Sequence, residues 1–231
     1  MPYRGVIFDL YGTLIDGWDL SQSRDRTAEL SAALRAPLEP FQELMERTYT
    51  ERATAALGDL PAMLLELCRR IGHSPAPADL ERAARLRVEQ FRSVLSQPRE
   101  ETPSLLATLR DRGLRVGVIS DSSSETPEIW PTLGWAAPIE TALFSWTEKL
   151  RKPAPELYRK ALVRLGLQAA EALYIGDGGS HELSGAEACG LRALRICHHP
   201  GDPEAHLQFD PDLAWHGTEI GTLTEALGVI S

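Results

Sequence analysis

Cysteine is scarce in this 231-residue chain, limited to Cys68, Cys189 and Cys197. The number is odd, and the spacings form neither a zinc site nor a dithiol redox motif. A reduced, cytoplasmic setting is the expectation. Lysine is equally rare: Lys149, Lys152 and Lys160 are the only ones among 24 basic residues. The net charge of −9 speaks against nucleic acid or an anionic membrane surface as the main partner. No apolar run approaches the roughly 18 residues that would cross a bilayer. Repeats and low-complexity tracts are missing, so a fibrous or globally disordered chain is excluded. The start, MPYRGVIFDLYGTL, has no extended apolar stretch and reads as a strand entering a functional turn rather than a signal peptide. What is present is an ordinary globular composition, 43% hydrophobic and 25% charged.

The first apolar run, Gly5 to Asp9, reads as a buried parallel strand whose carboxyl end carries polar groups. Between 16 and 97 the texture is helical. Apolar stripes recur at Phe41, Leu44, Met45 and Thr48, with polar Arg52 closing the row. Further stripes run through Leu60, Leu64, Leu67 and Ile71, and through Leu80, Ala84, Val88, Phe91 and Leu95. Prolines and glycines punctuate them into four predicted helices, roughly 18–35, 40–57, 60–71 and 78–95. From 98 onward helices and strands alternate. Strands are predicted at 115–120, 142–145, 172–176 and 191–196, with one more near 213–216. Helices are predicted at 103–112, 126–133, 155–165, 181–188 and near 223–227. Alternation of this kind implies an α/β fold, a Rossmann-like parallel sheet with right-handed crossovers. Residues 1–15 and 98–231 would form this core domain, and residues 16–97 an inserted helical domain.

In such sheets ligands bind beyond the carboxyl ends of the strands. The polar residues there are Asp9, Ser120 and Asp177, joined by Lys152 ahead of a proline-marked helix. Singly, each has an ordinary explanation: a turn aspartate, a helix cap, a solvated lysine, an aspartate held in a glycine turn. Together they supply a carboxylate nucleophile or metal ligand, a hydroxyl, a cation and a second acid.

With these residues placed, the chain resembles the haloacid dehalogenase-like superfamily, in the branch with an α-helical cap. Phe8 to Leu14 (FDLYGTL) is similar to its first motif, and Val118-Ile119-Ser120 to the second. Arg151 to Pro155 (RKPAP) is similar to the third, and Gly176 to Glu182 (GDGGSHE) followed by Ser184-Gly185-Ala186 to the fourth. The resemblance implies that Asp9 attacks the substrate and that water hydrolyses the covalent intermediate. It implies that Ser120 and Thr13 hydrogen-bond an anionic oxygen, with backbone N–H groups after Asp9, at Gly12, and after Ser120, at Asp121, adding donors. Lys152 would neutralise charge on Asp9 and the substrate. Mg²⁺ would be held by Asp9, the backbone carbonyl of Tyr11 and Asp177, with Glu182 as ligand, directly or through water, or as orienter of the metal's surroundings. Trp18 would line the pocket of a small anionic substrate.

Tyr11 departs from the phosphatase pattern, which has an aspartate two residues after the nucleophile to protonate the leaving alcohol. A tyrosine, with an ordinary pKa of about 10, is a poor base at neutral pH. Tyrosine at this place resembles the 2-haloacid dehalogenases, whose halide departs without a proton. Three features oppose that branch. Asp177 is present, Asp121 replaces an asparagine, and the branch's arginine about thirty residues past the nucleophile has no clear counterpart, with Arg35 and Arg47 the nearest. The expectation is a Mg²⁺-dependent phosphatase of small phosphorylated metabolites. The alternatives are a metal-independent dehalogenase and a weakly active or binding member of the family.

Overall fold

The computed structural model describes residues 3–198 and 210–230. Strand β1 (Gly5–Phe8) is followed by five helices: α1 (Leu20–Leu34), α2 (Leu38–Arg47), α3 (Tyr49–Ala53), α4 (Leu60–Arg70) and α5 (Pro77–Leu95). The chain then alternates through α6 (Thr102–Asp111), β2 (Arg115–Ser120), α7 (Glu125–Ile129), β3 (Thr141–Phe144), α8 (Ser145–Glu148) and α9 (Pro155–Leu165). It closes with β4 (Ala172–Gly176), α10 (Glu182–Ala188), β5 (Arg192–Ile196), β6 (Thr218–Ile220) and α11 (Ala226–Ile230).

The six strands form one parallel sheet in the order β3-β2-β1-β4-β5-β6. Strands buried on both faces need side chains apolar on both, and β1 shows why. Val6 and Phe8 pack into one layer with Leu105, Leu109, Val116 and Ile175. Ile7, pointing the other way, packs with Ile119, Tyr158, Leu162 and Tyr174. The chain winds outward from β1 through β2 and β3, then returns to the other side of β1 and winds outward through β4, β5 and β6. This reversal opens a crevice at the carboxyl ends of β2, β1 and β4. Phe8 stands level with Val118 and Ile175. Asp9, Ser120 and Asp177 therefore emerge side by side above that crevice.

The five helices after β1 enclose an apolar cluster of their own, with Leu30, Leu34, Phe41, Met45, Leu64 and Leu67 at its centre. Asp19 starts α1 by accepting from the Gln22 N–H at 2.7 Å within a capping box, and Asp59 caps α4 in the same way.

Several predicted boundaries shift. The helix expected over 40–57 is two, divided at Thr48, where the hydroxyl adds a 2.7 Å bond to the Leu44 carbonyl beside the backbone one, a local bond that bends helices, and the second ends at Ala53. The stripe predicted for α5 is only half its buried face. Ala83, Arg87, Gln90 and Phe91 are buried, because α5 packs against α1, α4 and α7 together. The helix expected over 126–133 ends at Ile129 and tightens into a 3₁₀ turn over Trp130–Thr132. Residues 213–216 are not a strand. Asp212 pins that segment to the loop after β4, donating its N–H to the Gly178 carbonyl and accepting from Ser184, so the sheet edge is supplied by Thr218–Ile220.

Candidate active site

The structure brings Asp9, Lys152, Asp177 and Glu182 together although 173 residues separate the first from the last. Asp9 follows the last residue of β1 and donates its N–H to the Ile175 carbonyl of β4 at 2.8 Å. Lys152 Nζ donates to Asp9 Oδ1 at 2.6 Å and to Glu182 Oε2 at 2.5 Å. All three of these side chains are buried. Burial opposes the lysine's charge, but Asp9, Glu182 and Asp121 outweigh it and hold the ammonium protonated well above the ordinary lysine range. Asp9 is raised to about 6: burial pushes it up, Lys152 pulls it down, and the charge of Asp177 pushes it up again. Glu182 is also raised, by burial first and then by Asp9 and Asp177 against the pull of Lys152.

Glu182 is the anchor of this group. Its Oε2 also accepts from the Tyr174 hydroxyl at 2.8 Å, and its Oε1 accepts from the Gly178 N–H at 2.9 Å. The carboxylate lies over Gly176, where any Cβ would stand 2.1 Å from Oε1. Only glycine fits at that point of β4. Beyond it the loop holds Ser180 and His181 in left-handed backbone at φ 55° and 49°, costing on the order of 1–3 kcal/mol each. The surrounding bonds hold the strain in place: Asp177 Oδ1 accepts from Gly179 N–H, and His181 N–H donates to the Asp210 carbonyl.

Ser120 Oγ and Thr13 Oγ1 are buried and find no hydrogen-bond partner among the described residues. Both are fully buried and stand behind the pocket lining rather than in it, and two unpaired hydroxyls beside Asp9 and Asp121 are suited to an anionic oxygen that reaches them. Gly12 takes φ 80°, as the turn after Asp9 requires, and its N–H donates to the Ile15 carbonyl. Asp121 lines the pocket but faces the loop that carries Lys152. It accepts the Lys152 N–H at 3.0 Å and Arg151 Nε at 3.2 Å. It thereby positions that loop. The Tyr11 hydroxyl lies 2.8 Å from Thr126 Oγ1, and burial pushes it above the ordinary tyrosine range. Trp18 stands in the pocket wall, edge-on to Phe91 with ring centres 4.8 Å apart.

The pocket itself, about 460 Å³, lies between the carboxyl ends of the strands and the helices that follow β1. This is an ordinary size for a small-molecule site. Residue patterns missed its outer wall. Tyr49, Arg52 and Arg87 all line it. Arg87 is buried and pairs with buried Glu125 at 2.9 Å. The signal available was Arg52 itself, an arginine standing in an otherwise apolar helical row.

The acidic group suits a hard divalent cation. One oxygen each from Asp9, Asp177 and Glu182 lies within 4.8 Å of the others. Three carboxylates against one ammonium leave two negative charges when all are ionised, and this repulsion adds to the burial that raises Asp9 and Glu182. An all-oxygen donor set of this charge fits Mg²⁺.

Residues 3–190 match the family model of haloacid dehalogenase-like hydrolases. The chain is 27% identical over 198 residues to a glyceraldehyde 3-phosphate phosphatase of Methanopyrus kandleri, covering 84% of this chain and 83% of that one. It is 29% identical over 216 residues to an N-acetylmuramic acid 6-phosphate phosphatase of Pseudomonas aeruginosa, covering 91% and 90%. The solved structure of a 2-haloacid dehalogenase from Pseudomonas syringae superposes with a TM-score of 0.68 at 24% identity, covering 99% of this chain and 98% of that one. Among the described residues no helix is long and apolar enough to cross a membrane.

Proposed function

The chain belongs to the haloacid dehalogenase-like hydrolases, and from that premise we propose that it is a Mg²⁺-dependent phosphatase of small phosphorylated metabolites, with Asp9 as nucleophile. The observation that carries this reading is the oxygen cluster of Asp9, Asp177 and Glu182 around Lys152. Two relatives aligned over more than four-fifths of their length are named as phosphatases of small phosphorylated compounds.

In this reading an Asp9 carboxylate oxygen attacks phosphorus, and the bond from phosphorus to the leaving oxygen breaks. Water then attacks the aspartyl phosphate, releasing inorganic phosphate and restoring the carboxylate. Lys152 neutralises Asp9 and approaching phosphate alike. Ser120 and Thr13 give their unpaired hydroxyls to phosphate oxygens. Asp9 and Asp177, with the Tyr11 carbonyl, hold Mg²⁺, which when bound screens the repulsion between phosphate and carboxylates. Glu182 orients Lys152 and the loop carrying Asp177. The helical segment 16–97 acts as a cap that closes the pocket and excludes water.

Tyr11 shapes the rate. Its hydroxyl is bonded to Thr126 and its proton is held tightly, so Tyr11 supplies no general acid–base help to the leaving group. Turnover is therefore slow for alkyl phosphates and faster for aryl or acyl phosphates, whose leaving groups depart unaided. The same tyrosine favours a second reading, metal-independent cleavage of a carbon–halogen bond in a 2-haloacid. Assaying p-nitrophenyl phosphate and L-2-chloropropionate side by side, with Mg²⁺ and with EDTA, separates the two. Phosphate release that depends on Mg²⁺ supports the phosphatase. Chloride release indifferent to EDTA overturns it.

A further inference from the structure

Arg52, near the end of α3, lines the pocket with its guanidinium partly buried. Its Nη2 donates to the Met45 carbonyl at 2.8 Å, while its buried Nε finds no partner among the described residues. It forms no ion pair among them either, and the acid that shares its stretch of pocket wall, Glu46, is exposed. Glu125 holds Arg87 at 2.9 Å, and Asp121 holds Arg151 at 3.2 Å. Burial and the charge of Arg87 lower the Arg52 pKa to about 10, against the opposite pull of Glu125 and Tyr49. Leaving such a cation without an anionic partner is costly.

Arg52 is set apart from the Asp9 group. The Tyr49 ring has the Arg52 guanidinium 5.9 Å from its centre and the Arg151 guanidinium 4.7 Å from it, and Arg151 in turn pairs with Asp121. Trp18, Met45 and Phe91 complete an apolar wall. The pocket wall therefore combines the Asp9 group, these apolar side chains and the Arg52 guanidinium, which has no ion pair among the described residues.

We propose that Arg52 recognises a second anionic group of the substrate, a carboxylate, and that the substrate class is an organic phosphate carrying that carboxylate on an apolar body. This rests on the phosphatase reading above for the identity of the first group, but not for the second. Arginine suits the role because its planar fork matches a carboxylate in two parallel hydrogen bonds.

The test compares 4-carboxyphenyl phosphate with 4-carbamoylphenyl phosphate, matched in shape and differing in charge. The amide makes the phenol the better leaving group, so a preference for the acid runs against intrinsic reactivity. In the wild type, kcat/KM should favour the carboxylate by about 10–100-fold, the range of a hydrogen bond to a charged partner. In Arg52→Gln the ratio should fall to about one, and in Arg52→Lys it should lie between. A wild-type ratio near one, or a ratio that survives in Arg52→Gln, overturns the proposal. A second measurement needs neither turnover nor a folded variant: calorimetric binding of 4-hydroxybenzoate and 4-hydroxybenzamide to the wild type in EDTA. Tighter binding of the benzoate supports the Arg52 subsite, and equal affinity, or none for either, overturns it. Failure to hydrolyse both phosphates, with the benzoate preference intact, sinks the phosphatase reading and leaves the subsite standing.

Discussion

Replacing Arg87 by methionine tests how the helical segment is fastened to the sheet. Arg87 comes from α5 and Glu125 from α7, and their side chains are 5% and 0% exposed. Methionine preserves the packing of the guanidinium's neighbours, since Arg87 lies 4.5 Å over the Phe91 ring and 5.6 Å over Trp18. What it removes is the charge that balances Glu125. Burial alone raises the Glu125 carboxyl, but Arg87, aided by hydrogen bonds from its own backbone and Ser123, holds it below the ordinary range. A buried carboxylate stripped of its partner costs about 3–5 kcal/mol. At about 2–4 °C per kcal/mol for a chain of this length, Tm should fall by roughly 6–20 °C. The sign of the pH dependence follows. In the wild type the depressed carboxyl contributes stability that is present above its unfolded pKa and is lost as pH falls through its folded value. In Arg87→Met the carboxyl rises and takes up a proton, so the deficit should be larger at pH 8 than at pH 5. Urea unfolding at both values, together with the double variant Arg87→Met/Glu125→Leu, measures this. The double variant should recover most of the loss. A single-variant loss below about 1 kcal/mol, or a double variant as unstable as the single, refutes the buried ion pair as the fastening.

Three more expectations rest on the site. Tyr11→Asp should raise turnover of an alkyl phosphate such as β-glycerophosphate by about 10²–10⁴, the usual worth of general acid–base help; an unchanged rate shows that Tyr11 is not what limits the wild type. Asp177→Asn should weaken Mg²⁺ binding at least tenfold, read by calorimetry as well as by turnover against Mg²⁺ concentration, and an unchanged affinity removes Asp177 from the ligand set. Gly176→Ala drives a methyl group into the Glu182 carboxylate, so it should destabilise the fold by about 1–3 kcal/mol and reduce kcat by displacing Lys152; a variant with wild-type stability and kcat refutes the close approach.

The sheet was legible because parallel strands buried on both faces must be apolar throughout, and Val6, Ile7 and Phe8 leave few other readings. The polar residues at the strand ends were legible for the same reason, since they interrupt those runs at the same level. The roles of Asp121 and Glu182 were not. Both are acids whose oxygens turn toward Lys152 and its loop, and the direction of a side chain is set by tertiary packing. Arg87 was invisible for a related reason. Counting apolar residues at helical spacing passes over a charged side chain that is buried because another element brings it a counter-charge. The edge strand was misplaced because residues 212–215 close a turn, with Trp215 N–H on the Asp212 carbonyl and Trp215 buried, a constraint that comes from the loop after β4.

The winding of the sheet also sets an order of events during synthesis. Asp9 and its strand are made before β2 and β4, the two strands with which β1 pairs. Until then Val6, Ile7 and Phe8 have no sheet to enter, and the nucleophile has neither Lys152 beside it nor Glu182 behind. The helices that follow β1 have their own apolar cluster to close around while the centre of the sheet waits. The growing chain thus carries an apolar strand without its sheet partners, and it cannot carry a working nucleophile before its last motif has been translated.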